Sequence, residues 1–162
     1  PGHVIAAKGY DDVEFLISTN PGESLKPLSQ VASGGELSRI MLAIKTVLAG
    51  RDEIDTLIFD EIDTGISGRT AWKVAEQLSV LSGAHQVICI THLPQIAAMA
   101  DVHFVIEKSS TDDMTITDIH KVSAEESLAE LARLLGSDAL TEAARSNAKE
   151  MKEQAGMFKE TR

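Results

Sequence analysis

The sequence predicts an α/β fold in which a mostly parallel sheet is flanked by helices, with a small antiparallel hairpin beside it. Two short apolar runs, residues 55–59 and 86–90, alternate with amphipathic helical stretches, and this alternation is typical of parallel strands covered by helices. Two later strand-like stretches joined by a polar loop predict the hairpin. A chain of 162 residues that is 43% hydrophobic can bury one core, so we expect one domain, or one lobe of something larger.

The first elements are a strand and a helix. Residues 12–19 are predicted to form a strand that ends at the turn Asn20-Pro21-Gly22. A helix is predicted to begin at two consecutive glycines, residues 34 and 35, and to end at Gly50. Its apolar residues are spaced four, three and four apart and form one stripe: Leu37, Met41, Ile44 and Leu48.

The middle of the chain alternates between strands and helices. After the strand at 55–59, a turn at 65–68 leads into a helix that ends at Gly83 and carries three apolar positions: Val74, Leu78 and Leu81. The strand at 86–90 follows, and Pro94 is predicted to begin a short helix that runs through Met99. Strands at 102–107 and 114–122, with a polar loop at 108–113, make the predicted hairpin.

The carboxyl-terminal part is predicted to be helical. Ser123 and Glu126 have the spacing of a capping box, and Gly136 ends that helix. Four leucines form its buried side: Leu128, Leu131, Leu134 and Leu135. A second helix, from about 138 to 154, has a weak apolar face.

The charge is unevenly distributed. Asp and Glu number 25 against 15 Lys and Arg, a net charge of −10. Six acids lie within twelve residues that contain no base: Asp52, Glu53, Asp55, Asp60, Glu61 and Asp63. DNA-backbone binding needs Lys and Arg to displace counterions, so the balance argues against a major DNA-binding role for this chain alone. It favours a site built on carboxylates with a divalent cation.

The composition disfavours disulfide-bonded, zinc-binding and membrane proteins. Cys89 is a single cysteine, so an internal disulfide and a Cys-based zinc site are excluded, and it suits a reducing cytosol. We find neither a long apolar run typical of a membrane span nor the layout of a signal peptide. We expect His103 and His120 to be structural and His3 and His85 to lie in loops, and no ligand spacing predicts zinc.

Polar residues follow both predicted parallel strands. Asp60-Glu61 follows one strand and Thr91-His92 the other, and ligands bind at the carboxyl ends of such strands. An apolar strand that ends in Asp-Glu is the second acidic motif of P-loop nucleotidases, where Asp supports Mg²⁺ and Glu polarises the attacking water. His92 could then bond a γ-phosphate oxygen or hold the attacking water. The alternative is a strand that ends in solvated acids, with a structural histidine beside it.

A second candidate site lies at residues 33–36, Ser-Gly-Gly-Glu. Two glycines at a helix start leave backbone N–H groups free, and the positive end of the helix dipole attracts phosphate. The alternative is an ordinary N-cap serine followed by a glycine turn. The flanking residues Leu37-Ser38-Arg39 favour the phosphate interpretation.

Taken in order, these motifs resemble those of the ABC-type ATPases of the SMC-like branch, a group that includes DNA double-strand-break repair proteins. The chain is similar at a signature motif (33–36), a Walker B motif (57–61), a D-loop (65–68) and an H-loop (91–92). The similarity covers roughly residues 11–155. It implies a P-loop NTPase-like fold and an ATPase head that dimerises on ATP.

The resemblance implies roles for residues at the sheet edge. Asp60 would support Mg²⁺ through its water shell. Glu61 would be the general base for the attacking water, and His92 would contact the γ-phosphate.

The resemblance also implies contacts with a second head. The signature residues would contact the ATP held by that head: Ser33, Gly34, Gly35 and Glu36. The D-loop residues would line the interface between heads: Gly65, Ile66, Ser67 and Gly68. Many ABC proteins have an Asp where this chain has Gly68, so a contact made by that Asp is not expected here.

The phosphate-binding motif GxxxxGK[ST] does not occur in the sequence. In the SMC-like pattern it lies in an amino-terminal lobe, beyond a long coiled coil. We therefore expect residues 1–162 to be one lobe, the carboxyl-terminal half of a split head that is inactive alone. The resemblance implies as partners the amino-terminal lobe and a second head in a homodimer, with DNA bound through the full-length protein. It implies a bacterial cytoplasmic location at the nucleoid, without membrane attachment.

Two alternatives remain from the sequence. The chain could be a non-catalytic docking module for the missing lobe or for another repair protein, with Asp60 and Glu61 as relics. It could also belong to a helicase-type motor, which shares the Asp-Glu strand. Such motors do not need Ser-Gly-Gly-Glu ahead of Asp-Glu, and the composition offers no strongly basic cleft.

Overall fold

The computed structural model describes Gly9 and residues 13–18, 22–30, 33–51, 53–111, 114–136 and 141–161. Over these residues the predicted α/β class is confirmed. The strands are β1 (Leu16–Ile17), β2 (Lys26–Pro27), β3 (Thr56–Phe59), β4 (Gln86–Cys89), β5 (Phe104–Thr111) and β6 (Met114–Lys121). The α-helices are α1 (Gly34–Leu48), α2 (Gly68–Leu81), α3 (Pro94–Met99), α4 (Ala124–Leu134) and α5 (Glu142–Glu160).

The two apolar strands pair in parallel, as predicted. In β3 and β4, Thr56 pairs with Gln86 and Phe59 with Cys89. The ladder continues to Ile90, whose N–H donates to the carbonyl oxygen of Phe59 at 3.0 Å. Because both strands end in the same direction with no stagger, the residues that follow them emerge at one edge of the sheet.

Helices cover one face of this pair. Leu57 and Phe59 are buried in a core formed with residues of α1, α2, α3 and α5, among them Leu42, Leu78, Ile96 and Ala155. The opposite face carries Ile58, which is 67% exposed, and Ile88 and Ile90, each about half exposed. The continuous apolar runs predict burial on both faces, so the second face is an uncovered apolar surface among the described residues.

The bounds predicted for α1 are confirmed, but its buried side is not the predicted stripe. Leu37, Met41 and Leu48 are exposed, whereas Gly35 and Leu42 are buried. Gly35 and Leu42 are seven residues apart, which places them on one side of the helix, and a glycine at the contact lets α1 approach its neighbour closely. The exposed side of α1 borders β3, where Leu37, Met41 and Ile58 line a groove of about 300 Å³.

Helix α2 and its surroundings follow the prediction closely. Val74, Leu78 and Leu81 are buried, and α3 begins at Pro94 and ends at Met99 as expected. His85, which was expected to lie in a loop, is 7% exposed in the turn before β4. Its Nδ1 lies 2.7 Å from the carbonyl oxygen of Ile54, so this histidine holds the start of β3.

The hairpin is longer than predicted. Residues 108–111, expected in its loop, belong to β5, because Lys108 pairs with Thr117 and Thr111 with Met114. Polar Thr and Ser side chains suit a solvated two-stranded ladder, which is why polarity alone wrongly indicated a loop. All of β6 is exposed.

The two carboxyl-terminal helices pack together and onto α3. The Ser123–Glu126 capping box is confirmed, since Ser123 N donates to Glu126 Oε2 at 2.7 Å and Glu126 N donates to Ser123 Oγ at 3.3 Å. The hydrogen bond that Ser123 N donates to its carboxylate lowers the pKa of Glu126. Helix α5 begins at Glu142 and ends at Glu160, later than the predicted 138–154, and residues 138–140 lie outside the described part.

The predicted first strand is mostly not a strand. Only Leu16 and Ile17 are paired, antiparallel to β2. Residues 12 and 19, and residues 20 and 21 of the predicted turn, lie outside the described residues. None of the helices in the described ranges combines the length and apolar content that a membrane crossing needs.

Candidate functional site

A tight turn follows β3 and presents two carboxylates to solvent. Asp60 and Glu61 are exposed, whereas Ile62 is completely buried and fixes the turn to the core. Asp60 Oδ1 accepts a hydrogen bond from Glu61 N at 2.9 Å. Glu61 has a φ of +56°, a left-handed conformation that is unusual for a residue other than glycine. The backbone at this point is therefore held in a sharply bent form by its surroundings.

A third carboxylate, Asp63, lies inside the same turn and binds the residues after β4. Its side chain is only 4% exposed. Asp63 Oδ2 accepts from Thr91 Oγ1 at 2.7 Å and from His92 N at 2.8 Å, and His92 Nδ1 lies 2.9 Å away. The His92 ring itself is 71% exposed. The structure thus brings His92 to the Asp60-Glu61 edge, as the parallel pairing predicts, and shows which group holds it there.

The amino-terminal end of α1 packs on this turn. Ser38 Oγ donates to the carbonyl oxygen of Asp60 at 3.0 Å. Arg39 Nη1 donates to the carbonyl oxygens of Ile62 and Thr64 at 3.1 and 2.9 Å. Residues one turn into the helix therefore fix residues 33–36 against residues 60–64.

The two glycines at the start of α1 are in close contact with the turn. A Cβ on Gly35 would lie 2.9 Å from the carbonyl oxygens of both Glu61 and Thr64, so the packing requires glycine there. A Cβ on Gly34 would lie 2.6 Å from Glu61 Oε2. Gly35 therefore has a structural role whatever it binds, and Gly34 lies beside the Glu61 carboxylate.

The remaining residues of the signature-like segment flank the glycines. Ser33 is the N-cap residue of α1, but its side chain makes no capping hydrogen bond. Ser33 is thus the N-cap residue that the alternative interpretation expects, without a side-chain hydrogen bond to the helix. Glu36 lies half-buried in the first turn of the helix.

The segment 65–68 leads from the turn into α2, and Gly68 is the first residue of that helix. Gly65 and Gly68 have φ values of +76° and +51°, which glycine adopts without steric cost. Ile66 is half-buried against the core, while Gly65, Ser67 and Gly68 are exposed. The loop thus presents mainly backbone and one hydroxyl to solvent.

Cys89, the last residue of β4, reports on the charge of this edge. Burial raises the pKa of its thiol to about 12, and the nearby negative charges of Asp63 and Asp60 add to the effect. A thiol with this pKa stays protonated near neutral pH, so Cys89 is a poor nucleophile there. Within the described residues, no group of three or more His, Cys, Asp or Glu side chains is arranged to hold a metal.

Sequence reasoning missed three residues that build this edge. Asp63 stands among six clustered acids, and nothing in its spacing separates a buried acid from solvated ones. Ser38 and Arg39 were noted only as flanking residues of the glycine motif. Their position one turn after the glycines is the signal that was available, because side chains there reach back over the helix start.

No family model matches the chain. Over 157 residues, 97% of this chain, it is 48% identical to DNA repair protein RecN of Bacillus subtilis. It is 53% identical over 143 residues to DNA repair protein RecN of Treponema pallidum, and 48% identical over 143 residues to that of Vibrio cholerae. Over this segment the chain is a homologue of the RecN proteins.

The segment shared with RecN is a part of those proteins. The chain covers 27% of the Bacillus RecN, 25% of the Treponema RecN and 26% of the Vibrio RecN, so it spans about a quarter of the relatives it matches. A solved structure from work on ATP-driven dimerization and DNA-stimulated activation of SMC ATPases is also similar. It has a TM-score of 0.49 and 24% identity, and covers 76% of this chain and 81% of that one.

Proposed function

We propose that this chain is one lobe of an ATP-binding and ATP-hydrolysing head in a RecN-like protein of the SMC family, acting in DNA double-strand-break repair and recombination. One observation carries the proposal: β3 and β4 end at one edge, where Asp60, Glu61 and His92 lie together with the start of α1 tied to them. The RecN relatives supply the biological context.

The exposed carboxylates suit a nucleotide with its metal. Mg²⁺ is usually bound by one or two carboxylates together with substrate phosphates and water, and Asp60, exposed at the strand end, fits that mode with one oxygen already held by Glu61 N. Bound there, Mg²⁺ would neutralise charge on the phosphates. Glu61 is then the general base that takes a proton from the attacking water, and His92 is proposed to contact the γ-phosphate.

The start of α1 suits the phosphate of a second head. Its free backbone N–H groups and helix dipole favour an anion, so residues Ser33 to Glu36 are proposed to bind the γ-phosphate of ATP on the opposing head. The loop from Gly65 to Gly68 is exposed beside them and would line the interface in a homodimer. The Glu61 carboxylate lies against Gly34, so a phosphate arriving there requires this side chain to swing away.

The uncovered sheet face suits the proposed amino-terminal lobe. Ile58, Ile88 and Ile90 form an apolar surface that a phosphate-loop lobe would cover. The same surface favours the second candidate, a non-catalytic docking module for that lobe or another repair protein. The two candidates differ in whether Glu61 matters for turnover.

The test is Mg-ATP hydrolysis by this chain alone and after mixing with a separately expressed amino-terminal lobe that carries the phosphate loop. We expect no hydrolysis by the chain alone, activity on mixing, and its loss with Glu61→Gln. Activity that persists in the Glu61→Gln variant would favour the docking module. Hydrolysis by the chain alone would mean that it contains an unrecognised phosphate site, and the split-head proposal would be wrong. Because this chain is acidic, DNA contacts are proposed for the full-length protein and not for this lobe. Location at the nucleoid in the bacterial cytoplasm is likewise proposed for the full-length protein.

A further inference from the structure

The contact between Asp63 and His92 is more than a loop anchor. The carboxylate is buried and accepts hydrogen bonds from Thr91 Oγ1 and His92 N in the segment after β4, and His92 Nδ1 lies 2.9 Å from the same oxygen. Thr91 Oγ1 in turn accepts from Leu93 N at 3.0 Å, which fixes the hydroxyl that donates to Asp63. The backbone and ring of His92 are therefore both held from one side.

The chemistry of the contact selects one form of the imidazole. An ionised carboxylate has only acceptors, so the His92 nitrogen facing it, Nδ1, must carry the hydrogen. A neutral ring with hydrogen on Nδ1 has a free lone pair on Nε2. Because the ring is 71% exposed, a neutral ring of this form offers a hydrogen-bond acceptor to solvent at the end of β4.

We propose that Asp63 is a positioning residue for His92, which holds the ring in its Nδ1-protonated tautomer and leaves Nε2 as the acceptor of the neutral ring. In that form Nε2 accepts a hydrogen bond, and a water molecule can donate one, whereas a phosphate oxygen is itself an acceptor. The consequence for catalysis rests on the proposed function: a neutral ring in this form can hold the attacking water, whereas contact with a γ-phosphate oxygen requires that Nε2 also carries hydrogen.

A second Asp–His pair in the same chain serves as an internal comparison. His120 Nδ1 lies 3.4 Å from Asp118 Oδ2 in the hairpin, and both side chains are exposed, at 43% and 72%. Asp63 differs in being buried, in its shorter contact and in holding the backbone of the same residue. Comparing the two pairs therefore separates the effect of a buried carboxylate from that of an exposed carboxylate near a histidine.

The first experiment needs no nucleotide. The 162-residue chain is labelled with ¹⁵N, and long-range ¹H–¹⁵N correlation spectra report which ring nitrogen of each histidine carries hydrogen, with His92 assigned from a His92→Gln variant. We expect the Nδ1-protonated tautomer for His92 in the unmodified chain at a pH where the ring is neutral. Finding hydrogen on Nε2 there would overturn the proposal, and this measurement holds even if every Asp63 variant fails to fold.

Two variants then test whether the Asp63 carboxylate sets the tautomer of His92. Asp63→Asn replaces the charged acceptor by a neutral amide that also donates, so we expect His92 to shift towards its Nε2-protonated form. Asp118→Asn is the matched control and should leave the His92 signals unchanged. An unaltered His92 tautomer in folded Asp63→Asn would mean that the carboxylate does not set it.

The second experiment separates this inference from the proposed function. In the complete protein, Asp63→Asn should lower kcat by about 10- to 100-fold, the usual range for residues that orient a functional side chain. In a His92→Ala background the same substitution should add little. An equal further loss there would show that Asp63 acts independently of His92. If the complete protein hydrolyses no ATP, the proposed function fails while the tautomer measurement still decides the role of Asp63.

Discussion

Arg39 Nη1 in α1 lies 2.9 Å from the carbonyl oxygen of Thr64 in the turn after β3. The same nitrogen donates to the carbonyl oxygen of Ile62, so one guanidinium holds two backbone groups of the turn. Hydrogen bonds with a charged donor are stronger than neutral ones. The start of α1 and the turn that carries Asp60 and Glu61 therefore form one fixed unit, and a change at either should alter both.

The Gly35→Ala substitution tests how closely this unit is packed. The new Cβ would lie 2.9 Å from two carbonyl oxygens and 3.0 Å from Arg39 Nη1, and overpacking of this kind costs about 1–3 kcal/mol. Alanine gains at most about 1 kcal/mol of helix propensity. We expect Gly35→Ala to lower the free energy of unfolding, measured by chemical denaturation.

Gly156→Ala in α5 is the matched control for this prediction. A Cβ there meets nothing within 4 Å, so only the helix propensity changes, and we expect a gain of up to about 1 kcal/mol. If both variants changed stability equally, the close approach of Gly35 to the turn would have no energetic consequence.

Much of this edge could be predicted from the sequence, because it depends on local patterns. Short apolar runs, 57–59 and 87–90, indicated β3 and β4, and parallel pairing necessarily brings Asp60 and His92 to one edge of the sheet. The capping box at Ser123 was equally local. The burial of Asp63 could not be predicted, since it depends on donors 28 and 29 residues away.

The errors in the prediction also have physical causes. The stripe of Leu37 and Met41 has good helical spacing, yet α1 turns its Gly35 side to the core because Arg39 and the turn fix the helix there. Strand β5 was predicted too short because its polar residues from Lys108 onward have no apolar alternation to mark them. Both errors arise where tertiary contacts or solvent exposure override the hydrophobic pattern.

Glu61→Gln is expected to abolish ATP turnover in the complete protein while ATP-bound dimers persist. Glutamine keeps the size of the side chain but cannot take a proton from water. Steady-state hydrolysis and light scattering with ATP would measure the two properties. Normal turnover by the variant would remove Glu61 from the mechanism, and loss of dimers would give it a role in assembly instead.

Cys89 is expected to be unreactive in the folded chain. Burial, together with Asp63 and Asp60, raises the pKa of its thiol from 9.0 to about 12, so about a thousandfold less thiolate is present at pH 8 than for a free cysteine. Because the chain has a single cysteine, alkylation followed by mass spectrometry reports on this thiol alone. Fast labelling without denaturant, comparable to that in guanidinium, would contradict the raised pKa of this half-buried thiol.

His103 is expected to make stability depend on pH below neutrality. Burial lowers the pKa of its ring from 6.5, Lys152 lowers it further and Glu130 opposes this, while the ring Nδ1 lies 2.8 Å from Ser127 Oγ. The unfolded chain therefore takes up the proton first as the pH falls. The stability contributed by the neutral ring is fully present above about pH 6.5 and is lost as the pH drops below it.

In His103→Asn, whose amide can replace the contact to Ser127, the free energy of unfolding should fall less between pH 7 and pH 5 than in the unmodified chain. An equal decrease in both proteins, measured by denaturation across this range, would assign the pH dependence to other groups.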